Sequence, residues 1–303
     1  MNASAANADP SLVATVVAPE GSRLLDLSRL ARLREAVPQA EVSILSPGRA
    51  VDFYLPPGLT AAREAILSAM PGAPVDVIVQ PAAARRKKLF LADMDSTMIG
   101  QECIDELADA VGLKAHVSAI TERAMRGEIA FEPALRERVA LLRGLTADVV
   151  ERMIGERITF TPGGKALVRT MRKAGAYTAL VSGGFTVFTG PISAMIGFDM
   201  HRSNTLIIEN GQFAGLVADP ILGREAKRET LIELRETRRI QAAETLAVGD
   251  GANDLAMLGE AGLGVAFRAK PIVAEAAHAR IDHTDLRTLL YAQGYRDEEI
   301  VEG

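Results

Sequence analysis

One cysteine, no tryptophan and no long apolar run: these absences narrow the reading of this 303-residue chain before any motif is weighed. A lone Cys103 excludes an intramolecular disulfide and a cysteine-based zinc site. The four histidines, His116, His201, His278 and His283, show none of the short spacings that bring two imidazoles to one metal. No stretch approaches the roughly 20 apolar residues of a membrane span. The opening M-N-A-S-A-A-N-A-D-P has neither the basic start nor the apolar segment of a signal peptide, so a cytoplasmic location is expected. A formal net charge of −5 offers no overall positive field to a polyanion, so neither nucleic acid nor membrane is an expected partner. What remains is a chain 48% hydrophobic, long enough for two domains and an insertion.

After a tail over 1–10 expected to be disordered, the pattern gives a strand at 12–17 and a helix near 24–36. Strands follow at 41–45 and 51–55, then a helix over 60–70 closed by Pro71-Gly72, then a strand at 75–79. This β-α-β-β-α-β order is ferredoxin-like. In topology it is similar to the small ligand-binding module called ACT, so 11–80 is expected to be an ACT-like α+β domain. Packing, dimerisation and sensing are all compatible roles. Pro81-Ala82-Ala83-Ala84 and Arg85-Arg86-Lys87-Lys88 then read as a linker over 81–88 whose basic run is solvated.

Leu89-Phe90-Leu91-Ala92 is a short continuous apolar run, as suits a strand buried on both faces of a parallel sheet. Asp93 and Asp95 follow at once. Residues two apart on extended chain share a side, so both acids can face one pocket. Their repulsion there calls for a hard divalent cation such as Mg2+. From 103 to about 160 the pattern is helical, with Ile104, Leu107, Ala108 and Val111, and later Leu135, Val139 and Leu142, at helical spacing. Gly112, Gly127 and Gly144 fall where such helices stop. An inserted lid of this kind closes over strand ends and excludes water.

Core α/β character returns after Thr161-Pro162-Gly163-Gly164, with a helix over 166–174 and a strand at 177–181 running into Ser182-Gly183-Gly184. Asn210-Gly211 signals a type I′ hairpin. A helix over 224–236 carries Lys227, and a strand at 245–248 runs into Gly249-Asp250-Gly251-Ala252-Asn253-Asp254. A further strand is expected at 264–267. Open parallel sheets bind ligands beyond the carboxyl ends of their strands, and three such ends here carry polar groups. Ser182 and the glycine N–H groups, at the start of a helix, make an anion site. Singly, each acidic loop is equally an ordinary turn, and Lys227 an ordinary solvated lysine. Jointly they supply what cleavage of a phosphate ester needs: a nucleophile, a proton donor and positive charge opposite the charge that develops.

D-M-D-S-T, S-G-G-F, the helical Lys227 and G-D-G-A-N-D, in that order, resemble the four motifs of the haloacid dehalogenase superfamily over about 88–290. T-E-R-A-M-R-G-E followed by F-E-P-A-L-R-E-R-V resembles the cap of its phosphoserine phosphatases. The resemblance implies an α/β fold: a Rossmann-like core with a parallel sheet over 89–303, a helical cap inserted at about 103–160, and the ACT-like ferredoxin-fold domain ahead of it. It implies a small-molecule substrate, phosphoserine, hydrolysed with Mg2+. By that similarity Asp93 attacks phosphorus, while Asp95 protonates the departing oxygen and then deprotonates water. Mg2+ is held by Asp93, by the main-chain carbonyl of Asp95 and by Asp250, with Asp254 behind them. Ser182, Gly183, Lys227 and Asn253 hold the phosphoryl oxygens. Glu102 and Arg138 match the positions that take the substrate's ammonium and carboxylate, which suits their charges. Met125 and Phe131 are expected to pack beside the substrate, with core filling equally compatible. Two other readings stay open: a phosphotransferase or broader phosphatase using the same intermediate, and an amino-acid-binding regulator with a silent catalytic half. A homodimer is compatible with all of them.

Overall fold

The computed structural model describes residues 12–56, 59, 61–125 and 128–302; the tail over 1–10 and Gly127 lie outside the described residues. The N-terminal part runs β1 (Leu12–Val17), α1 (Leu27–Ala36), β2 (Glu41–Ser46), β3 (Ala50–Leu55), α2 (Ala62–Ala69) and β4 (Asp76–Pro81). Its four strands form an antiparallel sheet in the order β2-β3-β1-β4, the ferredoxin-like arrangement. Alternation along the strands sends Ala14, Val16, Val51, Phe53 and Val77 to the helices, where they pack on Leu33 and Ile66. The opposite face carries Thr15, Asp52 and Gln80, all buried.

That second face is covered by the C-terminal part of the chain. Arg85, only 8% exposed, donates to both oxygens of Asp52 at 2.8 and 3.1 Å and to the carbonyls of Tyr291 and Ala292 at 3.2 and 3.0 Å. Asp76 accepts the N–H of Asp282 and of Thr284 at 2.9 Å, and the Thr284 hydroxyl at 2.6 Å. The basic run after β4 is therefore solvated only at alternate positions: Arg86 and Lys88 are exposed, whereas Arg85 and Lys87 are buried. Extended chain has two sides, and one side of this run faces the protein.

The remainder begins with β5 (Leu89–Ala92) and then leaves the sheet for α3 (Cys103–Ala110), α4 (Lys114–Met125), α5 (Phe131–Ala140) and α6 (Val149–Glu156). It returns through α7 (Gly164–Lys173), β6 (Tyr177–Phe185), α8 (Thr186–Ile196) and β7 (Met200–Asn204). The hairpin β8 (Leu206–Glu209) and β9 (Gln212–Val217) follows, then α9 (Arg224–Thr237), β10 (Thr245–Gly249), α10 (Leu255–Glu260) and β11 (Leu263–Phe267). The last elements are α11 (Pro271–Ala276), β12 (Ala279–Ile281) and α12 (Thr288–Ala292).

Six strands form one parallel sheet in the order β12-β11-β10-β5-β6-β7. Leu89 and Leu91 pack with Leu231, Met257 and Val273 on one face, and Phe90 with Leu167, Phe188 and Ile192 on the other. Burial on both faces is why the β5 sequence is apolar without alternation. The chain passes from β5 to β6 on one side and later places β10 on the other, which makes a topological switch point at β5. The three strands that end in polar motifs are thereby neighbours. In the hairpin, Asn210 and Gly211 both have positive φ, 49° and 76°, as a type I′ turn requires.

Candidate active site

Extended strand stops at Ala92, yet Asp93 (φ −69°, ψ 159°) and Asp95 (φ −65°, ψ 137°) keep extended dihedrals. Ser96 then takes φ 54° and bends the chain back, so that the Ile99 N–H reaches the Met94 carbonyl at 3.1 Å. The two acids consequently face different partners. Asp93 joins Asp250 and Asp254, one carboxylate oxygen from each lying within 4.8 Å of the others. Asp95 accepts the Cys103 N–H at 3.0 Å and the Ser182 hydroxyl at 3.4 Å, and its carboxylate is not part of that group.

Lys227 reaches into the acidic group from α9, its Nζ 2.7 Å from Asp93 and 2.6 Å from Asp254. Asp254 also accepts the Gly251 N–H at 3.0 Å, and Asp250 accepts the Thr97 hydroxyl at 2.9 Å. Burial, followed by the charge of Asp254, raises the Asp93 carboxyl well above the usual range, against the pull of Lys227. Burial likewise raises Asp250 and Asp95, the latter against the Cys103 N–H. Burial by itself would lower the Lys227 ammonium, but Asp254 and Asp93 outweigh it and hold it above its ordinary value. One ammonium thus stands against three enclosed carboxylates. That surplus, on an all-oxygen donor set, fits a hard divalent cation.

Beyond β5 the anion loop differs from its expected form. β6 continues through Ser182, Gly183 and Gly184 to Phe185, the N-cap of α8, so these residues lie on extended chain that runs directly into a helix N-terminus. The register with β7 shifts between Val181 and Phe185, which releases the glycines from regular pairing. Ser182 Oγ accepts the Gly184 N–H at 2.9 Å. A Cβ on Gly184 would lie 3.0 Å from Ser182 Oγ and 3.1 Å from Asp95 Oδ2, so bare backbone is what fits beside the acid. Asn253 is exposed and turned toward Gly251, where a Cβ would come within 2.2 Å of its Oδ1.

The insertion supplies the rest. Glu102, the residue before α3, accepts the Ser96 hydroxyl at 2.7 Å. Burial and the neighbouring Asp95 push its carboxyl up to about 7. Arg138, half-buried on α5, donates to the Ala134 carbonyl at 3.2 Å and to Thr121 Oγ1 at 3.3 Å. Burial lowers its guanidinium, with Asp105 and then Glu102 acting against that. No ion pair holds Arg138 among the described residues. Phe131 is 41% exposed and its ring lies across the loop, within 3.8 Å of a Cβ placed on Gly183 and 3.7 Å of one on Gly223. The Met125 side chain lies outside the described residues. Thr97 was not singled out by sequence reasoning, though its place inside D-M-D-S-T was a signal; it is buried and aligns Asp250.

Residues 90–259 match the family of haloacid dehalogenase-like hydrolases. A phosphoserine phosphatase of Streptomyces coelicolor is 42% identical over 228 residues, which are 75% of this chain and 55% of that protein. One from Albidiferax ferrireducens is 46% identical over 225 residues, 73% of this chain and 95% of its own. The chain therefore spans little more than half of the first relative and nearly all of the second. A solved structure of a phospho-aspartyl intermediate analogue of phosphoserine phosphatase superposes with a TM-score of 0.63 at 41% identity, covering 68% of this chain and 98% of its own. Because the match takes in all three strand ends as well as the insertion between them, the chain belongs to the haloacid dehalogenase-like hydrolase family.

Proposed function

We propose that the protein is a Mg2+-dependent phosphoserine phosphatase, hydrolysing O-phospho-L-serine to L-serine and phosphate. The observation that carries this reading is that two acids two residues apart, Asp93 buried and Asp95 half-buried, meet different partners. Asp93 lies 2.7 Å from the Lys227 ammonium, which favours its ionised, nucleophilic form against the raising effect of burial, whereas Asp95 is hydrogen-bonded to Ser182 and Cys103. Burial favours the protonated form of Asp95, the form that can give a proton. An Asp93 oxygen attacks phosphorus, the bond from phosphorus to the serine oxygen breaks, and Asp95 gives its proton to that oxygen. Asp95 then takes a proton from water as water attacks the phosphorylated Asp93, releasing phosphate and restoring both acids. Asp93, the Asp95 carbonyl and Asp250 would hold Mg2+, whose charge offsets that of the phosphoryl oxygens.

Ser182, the Gly183 N–H, Lys227 and Asn253 are assigned to those oxygens. Glu102 and Arg138 are assigned to the substrate's ammonium and carboxylate, a pairing supported by an Arg138 that has no ion pair among the described residues and feels the charges of Asp105 and Glu102. The same proposal assigns 89–303 to the phosphatase domain, 103–160 to its cap and 11–80 to an ACT-like module, in a cytoplasmic protein. Among the described residues, no helix is long and apolar enough to cross a membrane.

A phosphate-release panel over phosphoserine, phosphothreonine and sugar phosphates tests the reading. Phosphoserine should be preferred, chelation should abolish release, Mg2+ should restore it, and Asp93→Asn should remove it. Turnover surviving in Asp93→Asn, or a preference for sugar phosphates, would refute the assignment.

A further inference from the structure

Asn204, the last residue of β7, is 2% exposed and belongs to none of the motifs. Its amide is almost fully used. Nδ2 donates to the Gly183 carbonyl at 2.8 Å and to the Leu222 carbonyl at 3.3 Å, and Oδ1 accepts the Leu222 N–H at 2.7 Å. Leu222 immediately precedes Gly223, the N-cap of the helix that carries Lys227. One buried side chain therefore joins the anion loop after β6 to the start of α9.

The consequence is geometric. In a trans peptide the carbonyl and the following N–H point in opposite directions. Anchoring the Gly183 carbonyl on Asn204 sends the Gly184 N–H the other way, onto Ser182 Oγ at 2.9 Å. That hydrogen bond, in turn, orients the hydroxyl that faces Asp95. Gripping Leu222 through both its N–H and its carbonyl fixes where α9 begins, and hence where the Lys227 ammonium arrives. Only an amide of this length does both: aspartate cannot donate to Gly183, and alanine can do neither.

We infer that Asn204 is a positioning residue that sets the separation between the Ser182–Gly184 anion loop and Lys227, and so tunes the grip on the phosphoryl group. The inference rests on the phosphatase reading above. It concerns the phosphate half of the site and not the half that would take the amino acid.

Asn204→Asp and Asn204→Ala test it against phosphoserine, an aryl phosphate without ammonium or carboxylate, inorganic phosphate and L-serine. Misplacing the loop by about an ångström should lower kcat/KM about 100-fold on both esters. Inhibition by inorganic phosphate should weaken in parallel, while inhibition by L-serine stays as in the wild type. A role in folding alone would instead weaken both inhibitors together or leave both unchanged. Unchanged phosphate inhibition in Asn204→Asp would overturn the inference. Should neither variant fold, amide exchange in the wild type decides: a protected Leu222 N–H supports the tether, and one exchanging at the rate of exposed backbone removes it. A wild-type enzyme that cleaves the aryl phosphate but not phosphoserine would sink the substrate assignment and leave this test intact.

Discussion

Replacing Arg85 by methionine should destabilise the protein severely while sparing catalysis. The guanidinium gives Asp52 two hydrogen bonds, at 2.8 and 3.1 Å, and serves Thr15 at 3.3 Å and the Ala292 carbonyl at 3.0 Å. The Asp52 side chain is 0% exposed. Methionine fills much of the stem's volume but, among the described residues, leaves Asp52 with the Thr15 hydroxyl, at 2.7 Å, as its donor. Stranding one member of a buried pair costs about 3–5 kcal/mol. At about 2–4 °C per kcal/mol, the melting temperature should fall by about 6–20 °C. Removing the stranded charge as well, in Arg85→Met with Asp52→Leu, should recover most of the loss, because the larger part of the penalty is an unpaired carboxylate. Thermal and urea unfolding of the two single variants, the double variant and the wild type supplies the cycle. Below the transition, kcat should stay near wild type, since Arg85 enters from the amino end of β5 and the acids lie beyond its carboxyl end. A single variant within about 1 kcal/mol of wild type would refute the reasoning, as would a double variant no more stable than Arg85→Met.

Arg138→Ala should lower kcat/KM for phosphoserine about 10- to 100-fold, the worth of a charged hydrogen-bonded pair, with little effect on an aryl phosphate; equal losses on both would assign Arg138 to holding the helices of the insertion. Glu102 must be ionised to take an ammonium, and its carboxyl stands at about 7. The ratio of kcat/KM for phosphoserine to that for the aryl phosphate should therefore rise as pH climbs through 7, and Glu102→Gln should flatten it. Burial, opposed by Glu244, lowers the Lys87 ammonium from 10.5 to about 8, so between those values the unfolded chain binds the extra proton and stability rises with pH. Lys87→Met should accordingly compare best with wild type in melting temperature below pH 8 and lose that advantage toward pH 10.5; an advantage that grows with pH would reverse the sign and the argument.

Local chemistry was legible in the sequence, and long-range chemistry was not. Leu89–Ala92 announces a two-sided strand because burial on both faces needs no partner in the sequence to recognise. Asn210-Gly211 announces its hairpin because positive φ at two successive positions admits few residues. The ordered motifs carried Asp93, Lys227, Asp250 and Asp254, which the fold does bring together. Arg85 was unreadable as a buried residue because Asp52, its partner, lies 33 positions earlier. Asn204 gave no signal in the sequence, since its three bonds go to main-chain groups that have no sequence signature. The continuation of β6 through Gly183 and Gly184 escaped notice for a related reason: glycine is depleted in strands, and pairing with β7 resumes only at Phe185, opposite Asn204.

Cys103 opens the first helix of the insertion and lends its amide hydrogen to Asp95. Under the proposed roles, that hydrogen bond ties the insertion to the acid assigned to proton transfer. Were the inserted helices to shift from the sheet, that bond would lengthen and Asp95 would lose an orienting donor, so on the proposed roles closure and proton delivery would be coupled.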